Sequence, residues 1–279
     1  MDRQVMVSAL PSWRPGSARD AIVDVLIEVT QGRRAVPAPE RVAAFDNDGT
    51  LACEKPHTAL ASFLAAEAAT RGDPIPDGLD GHAVLRAMGA LFEGSSTVEY
   101  EEHAAAFLDQ ARHPRFGCQY PDLVYAPMRE LIGLLQDLQF GVFLCSDSSR
   151  DFNRVWAGPA YGLSRERVIG SEVRIELRDG RLVRTADSGL LDDGPGKPVH
   201  LWDRIGQLPL LAAGNAAGDV EMLSCARFGL LVSHDDADRE YAYPDPALLA
   251  TAARGGWTVV SMREDFDRVW VSDAAGPGR

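Results

Sequence analysis

Four apolar residues in a row, Val42-Ala43-Ala44-Phe45, run directly into Asp46-Asn47-Asp48-Gly49-Thr50. An apolar run without polar alternation suits a strand buried on both faces, as in a parallel sheet covered by helices. Its end carries two carboxylates two residues apart, and such like charges disfavour joint ionisation. A cation offsets that cost, and hard oxygen donors suit magnesium. The pattern repeats. Residues 140–145 read as a buried strand ending in Ser146-Asp147-Ser148-Ser149, and residues 210–213 as one ending in Gly214-Asn215-Ala216-Ala217-Gly218-Asp219. Residues 228–232 and 257–261 are further strand candidates. Residues 17–30, 123–138 and 151–161 have helical spacing, and 172–185 reads as a hairpin around Arg178-Asp179-Gly180. Strand, polar turn and helix in alternation predict an α/β fold, a doubly wound, Rossmann-like parallel sheet. In such a sheet functional groups collect at the carboxyl ends of the strands.

The rhythm changes between residues 53 and 120. Segments 57–71, 81–92 and 96–112 are helical in pattern, and no strand intervenes. The expected organisation is therefore a catalytic core of residues 1–52 and 121–279, with residues 53–120 inserted as a helical cap.

Charge narrows the partners. The 279 residues carry 28 basic and 41 acidic side chains, a net charge of −13. An acidic chain is repelled by a phosphate backbone or an anionic bilayer, so neither nucleic acid nor membrane is an expected partner. No stretch approaches the roughly 20 apolar residues of a membrane span, and residues 1–13 lack the apolar region of a secretion signal. Cys53, Cys118, Cys145 and Cys225 are widely separated, without a C-x-x-C pair. Reduced thiols and a cytoplasmic location are the expectation. Oligomeric state does not follow from the sequence.

The three strand ends, together with Lys197 in the loop Asp192-Asp193-Gly194-Pro195-Gly196-Lys197-Pro198, form a chemically coherent set. A carboxylate beside Mg²⁺ and a lysine is a competent nucleophile toward phosphorus, because the cations neutralise the phosphoryl oxygens. A second carboxyl group can protonate the leaving oxygen and then take a proton from water. Gly49 and Thr50 are expected to offer backbone N–H groups to the phosphate. An oxygen of Asn215 or of Asp219 would complete the protein ligands of the metal.

Phe45-Asp46-Asn47-Asp48-Gly49-Thr50-Leu51 resembles motif I of the haloacid dehalogenase (HAD) superfamily. Ser146 at a strand end resembles motif II, Lys197 motif III, and Gly214-Asn215-Ala216-Ala217-Gly218-Asp219 motif IV, all in the family's order. Asp151-Phe152, Tyr161-Gly162, Val168-Ile169-Gly170-Ser171, Asp193-Gly194-Pro195-Gly196-Lys197 and Asp219-Val220-Glu221-Met222-Leu223 are similar to the phosphoserine phosphatase-like branch. The resemblance spans about residues 42–270. It implies Asp46 as the nucleophile that becomes phosphorylated and Asp48 as general acid and base, its carbonyl on Mg²⁺. It further implies Ser146 holding a phosphoryl oxygen, Lys197 steadying nucleophile and phosphate, and Asp46, Asp48, Asn215 and Asp219 on the metal side. Two departures stand out. Asp147 and Ser148 follow Ser146 where the branch has glycines, and Asn215 stands where an aspartate is common. The extra acid opposes an anionic substrate, and because an amide is the weaker ligand the main metal ligand is left open between Asn215 and Asp219.

The implied activity is Mg²⁺-dependent hydrolysis of a small phosphorylated metabolite, a phosphate monoester, through an aspartyl-phosphate. Phosphomutase or other phosphotransferase chemistry shares Asp46 and Asp48. A catalytically silent phosphate-binding protein is the alternative of another class. Dehalogenation needs no second aspartate, so Asp48 argues against it. Glu54, with Lys55, lies where substrate contacts arise as a cap begins. Glu99, Glu101 and Glu102 read as the wet face of a helix. Lone histidines such as His113 and His234 read as structural, and the segment His234-Asp235-Asp236 with residues 239–243 resembles a family feature without an assigned role.

Overall fold

The apolar runs do form strands, and all five pairings of the main sheet are parallel. The computed structural model describes residues 1–33, 35–72 and 81–275. Its strands are β1 (Val42–Phe45), β2 (Gly141–Ser149), β3 (Val168–Ser171), β4 (Val173–Arg178), β5 (Arg181–Ser188), β6 (Leu211–Gly214), β7 (Phe228–Ser233) and β8 (Thr258–Ser261). Its helices are α1 (Arg3–Ser8), α2 (Ser17–Gln31), α3 (Ala59–Thr70), α4 (Gly81–Leu91), α5 (Thr97–Gln110), α6 (Ala126–Asp137), α7 (Arg150–Tyr161), α8 (Gly196–Ile205), α9 (Val220–Cys225), α10 (Pro246–Gly255) and α11 (Met262–Asp265).

The main sheet has the order β3-β2-β1-β6-β7-β8. Strand order therefore reverses between β1 and β6, the switch point at which open α/β sheets gather their ligands. Phe45 pairs with Leu144 on one side and with Ala213 on the other. That register brings the chain to Asp46, Ser146 and Asn215 along one edge. Alternate residues of β1 feed two separate cores. Ala43 and Phe45 pack with α2 and α6, through Ile22, Leu26, Leu131 and Leu135, whereas Ala44 packs with Leu201 of α8, Met222 of α9 and Leu248 of α10. Helices on both faces explain why no strand of this sheet shows polar alternation.

Helices α3, α4 and α5 follow β1 and precede β2, as the pattern of residues 53–120 implies; residues 73–80 of that segment lie outside the described residues. Phe63 of α3 is their hub, with ring centroids 5.5 Å from Phe92, 5.8 Å from Tyr100 and 5.4 Å from Phe152 of α7. Stacked and edge-on pairs of this kind add to burial. Ser96 and Glu99 form a capping box at the start of α5, so Glu99 has a capping duty beyond a merely wet face.

The hairpin expected around Arg178-Asp179-Gly180 is present. The antiparallel hairpin β4–β5 leaves the sheet after β3, turns at Asp179 and Gly180 with φ of 48° and 76°, and packs on α4. A Cβ at Gly89 of α4 would lie 2.7 Å from the Ala186 carbonyl oxygen, so this helix and strand approach as only glycine permits. The hairpin is also tied to the core. Arg184 of β5 is fully buried, donates to Asp151 of α7 at 2.7 Å, and lies 3.9 Å over the ring of Tyr100. Burial works against ionising Asp151, but Arg150 and Arg184 outweigh it and hold that carboxyl below its ordinary value. No helix among the described residues is long and apolar enough to cross a membrane.

Candidate active site

Asp46 is the first residue beyond β1, and its amide still continues the ladder to the Ala213 carbonyl at 3.0 Å. Its side chain is buried and meets Lys197, whose Nζ lies 2.8 Å from Asp46 Oδ1 and 2.6 Å from Asp219 Oδ1. Lys197 is not in a loop, as its sequence suggested. It is the second residue of α8, whose inward face carries it under the sheet's edge to 2% exposure. Burial alone would discharge this ammonium; Asp219 and Asp46 more than reverse that and hold it protonated. Burial, followed by the charge of Asp219, drives the Asp46 carboxyl well above its ordinary value, against the pull of Lys197.

Asn215 and Asp219 do different work. Asp219 Oδ2 accepts from the amides of Asn215 and Ala216 at 2.9 and 3.0 Å, while its Oδ1 takes Lys197. Both oxygens are committed to shaping the turn after β6 and to holding the lysine. Asn215 is oriented by two partners: its Oδ1 accepts from the Thr50 hydroxyl at 2.9 Å, and its Nδ2 donates to Glu54 Oε1 at 3.2 Å.

The turn after β1 is closed on itself. Gly49 N–H donates to the Ala52 carbonyl at 2.8 Å and Thr50 N–H to the Asn47 carbonyl at 3.2 Å. Gly49 and Thr50 therefore do not present their amides to a phosphate, contrary to expectation. The amides of Asn47 and Asp48 are the ones without a protein acceptor among the described residues. Gly49 has φ of +79°, and a Cβ there would meet Asn215 Nδ2 at 2.1 Å, so motif I and the turn after β6 touch through a bare backbone.

Asp48 faces a cavity of about 520 Å³ beneath α3 and α4. Glu54, Asp147 and Ser148 line its polar side; Leu60, Leu64 and Met88 line its apolar side. Asp48 Oδ2 is buried and unpartnered among the described residues. Burial first, then the charges of Asp147 and Glu54, push its carboxyl up to about 7. Asp147 is exposed on the cavity side; the surrounding protein's desolvation raises its carboxyl to about 6 although Lys197 opposes the rise. Ser146 is fully buried, and its Oγ accepts from the Ser148 amide at 3.2 Å. Ser146 sits at the same edge but does not line the cavity, whereas Ser148 does. Tyr161 donates to Asn47 Oδ1 at 2.8 Å and so braces the residue between the two aspartates, a contact that no spacing in the chain announces.

Fit to a divalent cation can be judged from the donors. No group of three or more His, Cys, Asp or Glu side chains that could hold a metal occurs among the described residues. A mixed oxygen set fits better. Asp46 Oδ2 has only a 3.5 Å contact with the Thr50 hydroxyl, Asn215 Oδ1 lies at the same hydroxyl, and Asp48 Oδ2 has no partner. Asp46, Asp48, Glu54, Asp147 and Asp219 share this region with Lys197 and the partly exposed Lys55. Hard oxygens with an excess of carboxyl groups suit Mg²⁺, which tolerates few protein ligands and keeps water.

Fold and site thus define a doubly wound α/β protein with a carboxylate–lysine centre at its switch point. No protein-family model matches the chain, and no curated protein matches it. Among solved structures, it is similar to a conserved protein of unknown function from Anaerococcus prevotii (13% identity, 94% of this chain and 96% of that one, TM-score 0.59). It is likewise similar to a protein of unknown function from Bordetella pertussis (20% identity, 79% and 98%, TM-score 0.54). A HAD family hydrolase from Salmonella enterica serovar Typhi is also found, at 16% identity, 83% and 71% coverage and TM-score 0.48. At these identities the likeness concerns the fold.

Proposed function

We propose that this chain is a HAD-type phosphohydrolase that cleaves a small phosphate monoester through a phosphorylated Asp46. The observation that carries the reading is the Lys197 ammonium set between Asp46 and Asp219, which leaves Asp46 Oδ2 as the less engaged oxygen of a buried carboxylate. Asp46 Oδ2 attacks phosphorus, and the bond from phosphorus to the alcohol oxygen breaks. Asp48, in its acid form, gives that oxygen a proton. A value of about 7 suits a group that must be acid in one half-reaction and base in the next. Asp48 as carboxylate then takes a proton from water, whose oxygen attacks phosphorus, breaks its bond to Asp46 and frees inorganic phosphate. Lys197 stays protonated and offsets the charge on Asp46 and the phosphoryl group. Asp46, the Asp48 carbonyl and Asn215 would hold Mg²⁺, which when bound neutralises phosphoryl oxygens as a Lewis acid.

The cavity beside Asp48 would take the alcohol portion of the ester, with Glu54 and Asp147 on its polar wall. Roofing by α3 and α4 would keep bulk water from the phosphoenzyme. The test is release of phosphate from para-nitrophenyl phosphate. Asp46→Asn is expected to abolish turnover while keeping the fold, and wild-type rates in that variant overturn the reading.

A further inference from the structure

The segment after β7 reaches the turn that carries Asp46 and Asp48. His234 is fully buried, and its Nε2 lies 2.7 Å from the Gly49 carbonyl oxygen. A carbonyl only accepts, so Nε2 carries a hydrogen. Nδ1 lies 3.1 Å from Glu240 Oε2. Two acceptors at that distance repel unless a proton lies between them, so a hydrogen bond joins the ring to Glu240. The other oxygen, Glu240 Oε1, accepts from the Tyr125 hydroxyl at 3.2 Å and the Cys53 thiol at 3.2 Å. The ring of Tyr243 stacks on His234 at 4.2 Å and 17°. The imidazole is therefore fixed in rotation and tilt by Gly49, Glu240 and Tyr243, with Glu240 held in turn by Tyr125 and Cys53, so that three separate stretches of chain meet on it.

Desolvating this many polar groups is expensive compared with apolar packing. What the arrangement gains is one short hydrogen bond to one peptide group, the Gly49–Thr50 link of the turn that carries Asp46 and Asp48. The amide of that link already closes the turn onto the Asn47 carbonyl at 3.2 Å, and His234 adds a hold on its carbonyl from outside the turn, at a glycine whose φ of +79° few other residues could supply. Asn215 abuts Gly49 on one side, where a Cβ cannot fit, and His234 grips its carbonyl. Thr50, one bond further, carries the hydroxyl that reaches Asn215 and lies 3.5 Å from Asp46 Oδ2.

We propose that His234, oriented by Glu240, is a positioning residue that clamps the Gly49 carbonyl and so fixes the alignment of Asp46 and Asp48. This rests on the phosphohydrolase reading for its kinetic consequence but not for the clamp itself. An error near 1 Å in such alignment can cost on the order of a hundredfold in rate. His234→Ala is expected to lower kcat by roughly ten- to a hundredfold with KM within about twofold. His234→Gln, whose amide nitrogen can reach the position of Nε2, should restore most of it. Glu240→Gln keeps a partner for Nδ1 and should stay near wild type, whereas Glu240→Ala should behave like His234→Ala.

Independently of activity, hydrogen–deuterium exchange read by mass spectrometry on the full chain should show faster exchange across residues 47–53 in His234→Ala and not in Glu240→Gln. If His234→Ala does not fold, Glu240→Ala against Glu240→Gln makes the same comparison. Unchanged exchange at 47–53 in the alanine variants overturns the clamp whatever the enzyme does. Equal kcat losses in the alanine and glutamine variants reduce the pair to packing and likewise overturn it. A protein without phosphatase activity but with the expected exchange pattern would remove the reaction and leave the clamp.

Discussion

Replacing Lys197 by methionine keeps most of the side chain's volume and removes its charge, leaving Asp46 and Asp219 facing each other with no counter-ion. Solvent does not screen this pair, because all three side chains are at most 6% exposed. The surface range of about 0–1 kcal/mol for an ion pair therefore does not apply. The cost of breaking a buried pair does, roughly 3–5 kcal/mol. Its pH dependence has a definite sign. Asp46 already sits above its ordinary value with the lysine present, and loss of the ammonium raises it further. A raised folded-state value means that the folded protein binds the proton more tightly than the unfolded chain. Stability then rises as pH falls through that value and is lost as pH increases. Urea denaturation of EDTA-treated protein should thus show Lys197→Met far less stable than wild type at pH 8, with the gap narrowing at pH 5.5. A loss below about 1 kcal/mol at pH 8, or a gap independent of pH, would refute the placement of Lys197 as the neutraliser of two buried carboxylates.

Three further outcomes are expected. Chelation by EDTA should abolish phosphate release and added Mg²⁺ restore it; full activity in the chelated protein would remove the metal from the reading. Arg184→Ala strips Asp151 of its buried partner and should cost roughly 3–5 kcal/mol in chemical denaturation, with Asp151 still touching Arg150 and Arg154. A change under 1 kcal/mol would show the hairpin to be held by other contacts. Gly89→Ala pushes a methyl group to 2.7 Å from the Ala186 carbonyl and should destabilise by about 1–3 kcal/mol, read as a lower Tm.

What was legible in the sequence followed from short-range rules. A strand buried on both faces must read as an unbroken apolar run, so β1, β6 and β7 were visible, and with them the turns that begin at Asp46 and Asn215. The hairpin turn at Asp179-Gly180 was visible because both residues tolerate positive φ. Lys197 was expected in a loop because glycine and proline precede it, yet Pro195 is the N-cap of α8 and the helix turns the lysine inward. The docking of β5 on α4 joins residues almost a hundred positions apart, and no local pattern encodes that. Glu240 is hidden in a run of charged and polar residues, so nothing in its neighbourhood announces that it is fully buried against His234, Tyr125 and Cys53. The division of labour between Asn215 and Asp219 likewise needed the hydrogen bonds, since both lie within one turn.

The excursion from β3 through the hairpin to α8 begins and ends almost at the same point. The Asp192 amide donates to the Ser171 hydroxyl at 2.9 Å, and the Glu172 amide to the Leu190 carbonyl at 2.9 Å. This knot at the base stands between the hairpin's exposed tip, where Leu177 and Leu182 lie, and Lys197 a few residues beyond. Displacement of the tip along the chain is thus stopped at this base before it reaches Lys197. The outer hairpin can therefore vary in length and side chains while the ion pair between Lys197 and Asp46 stays put.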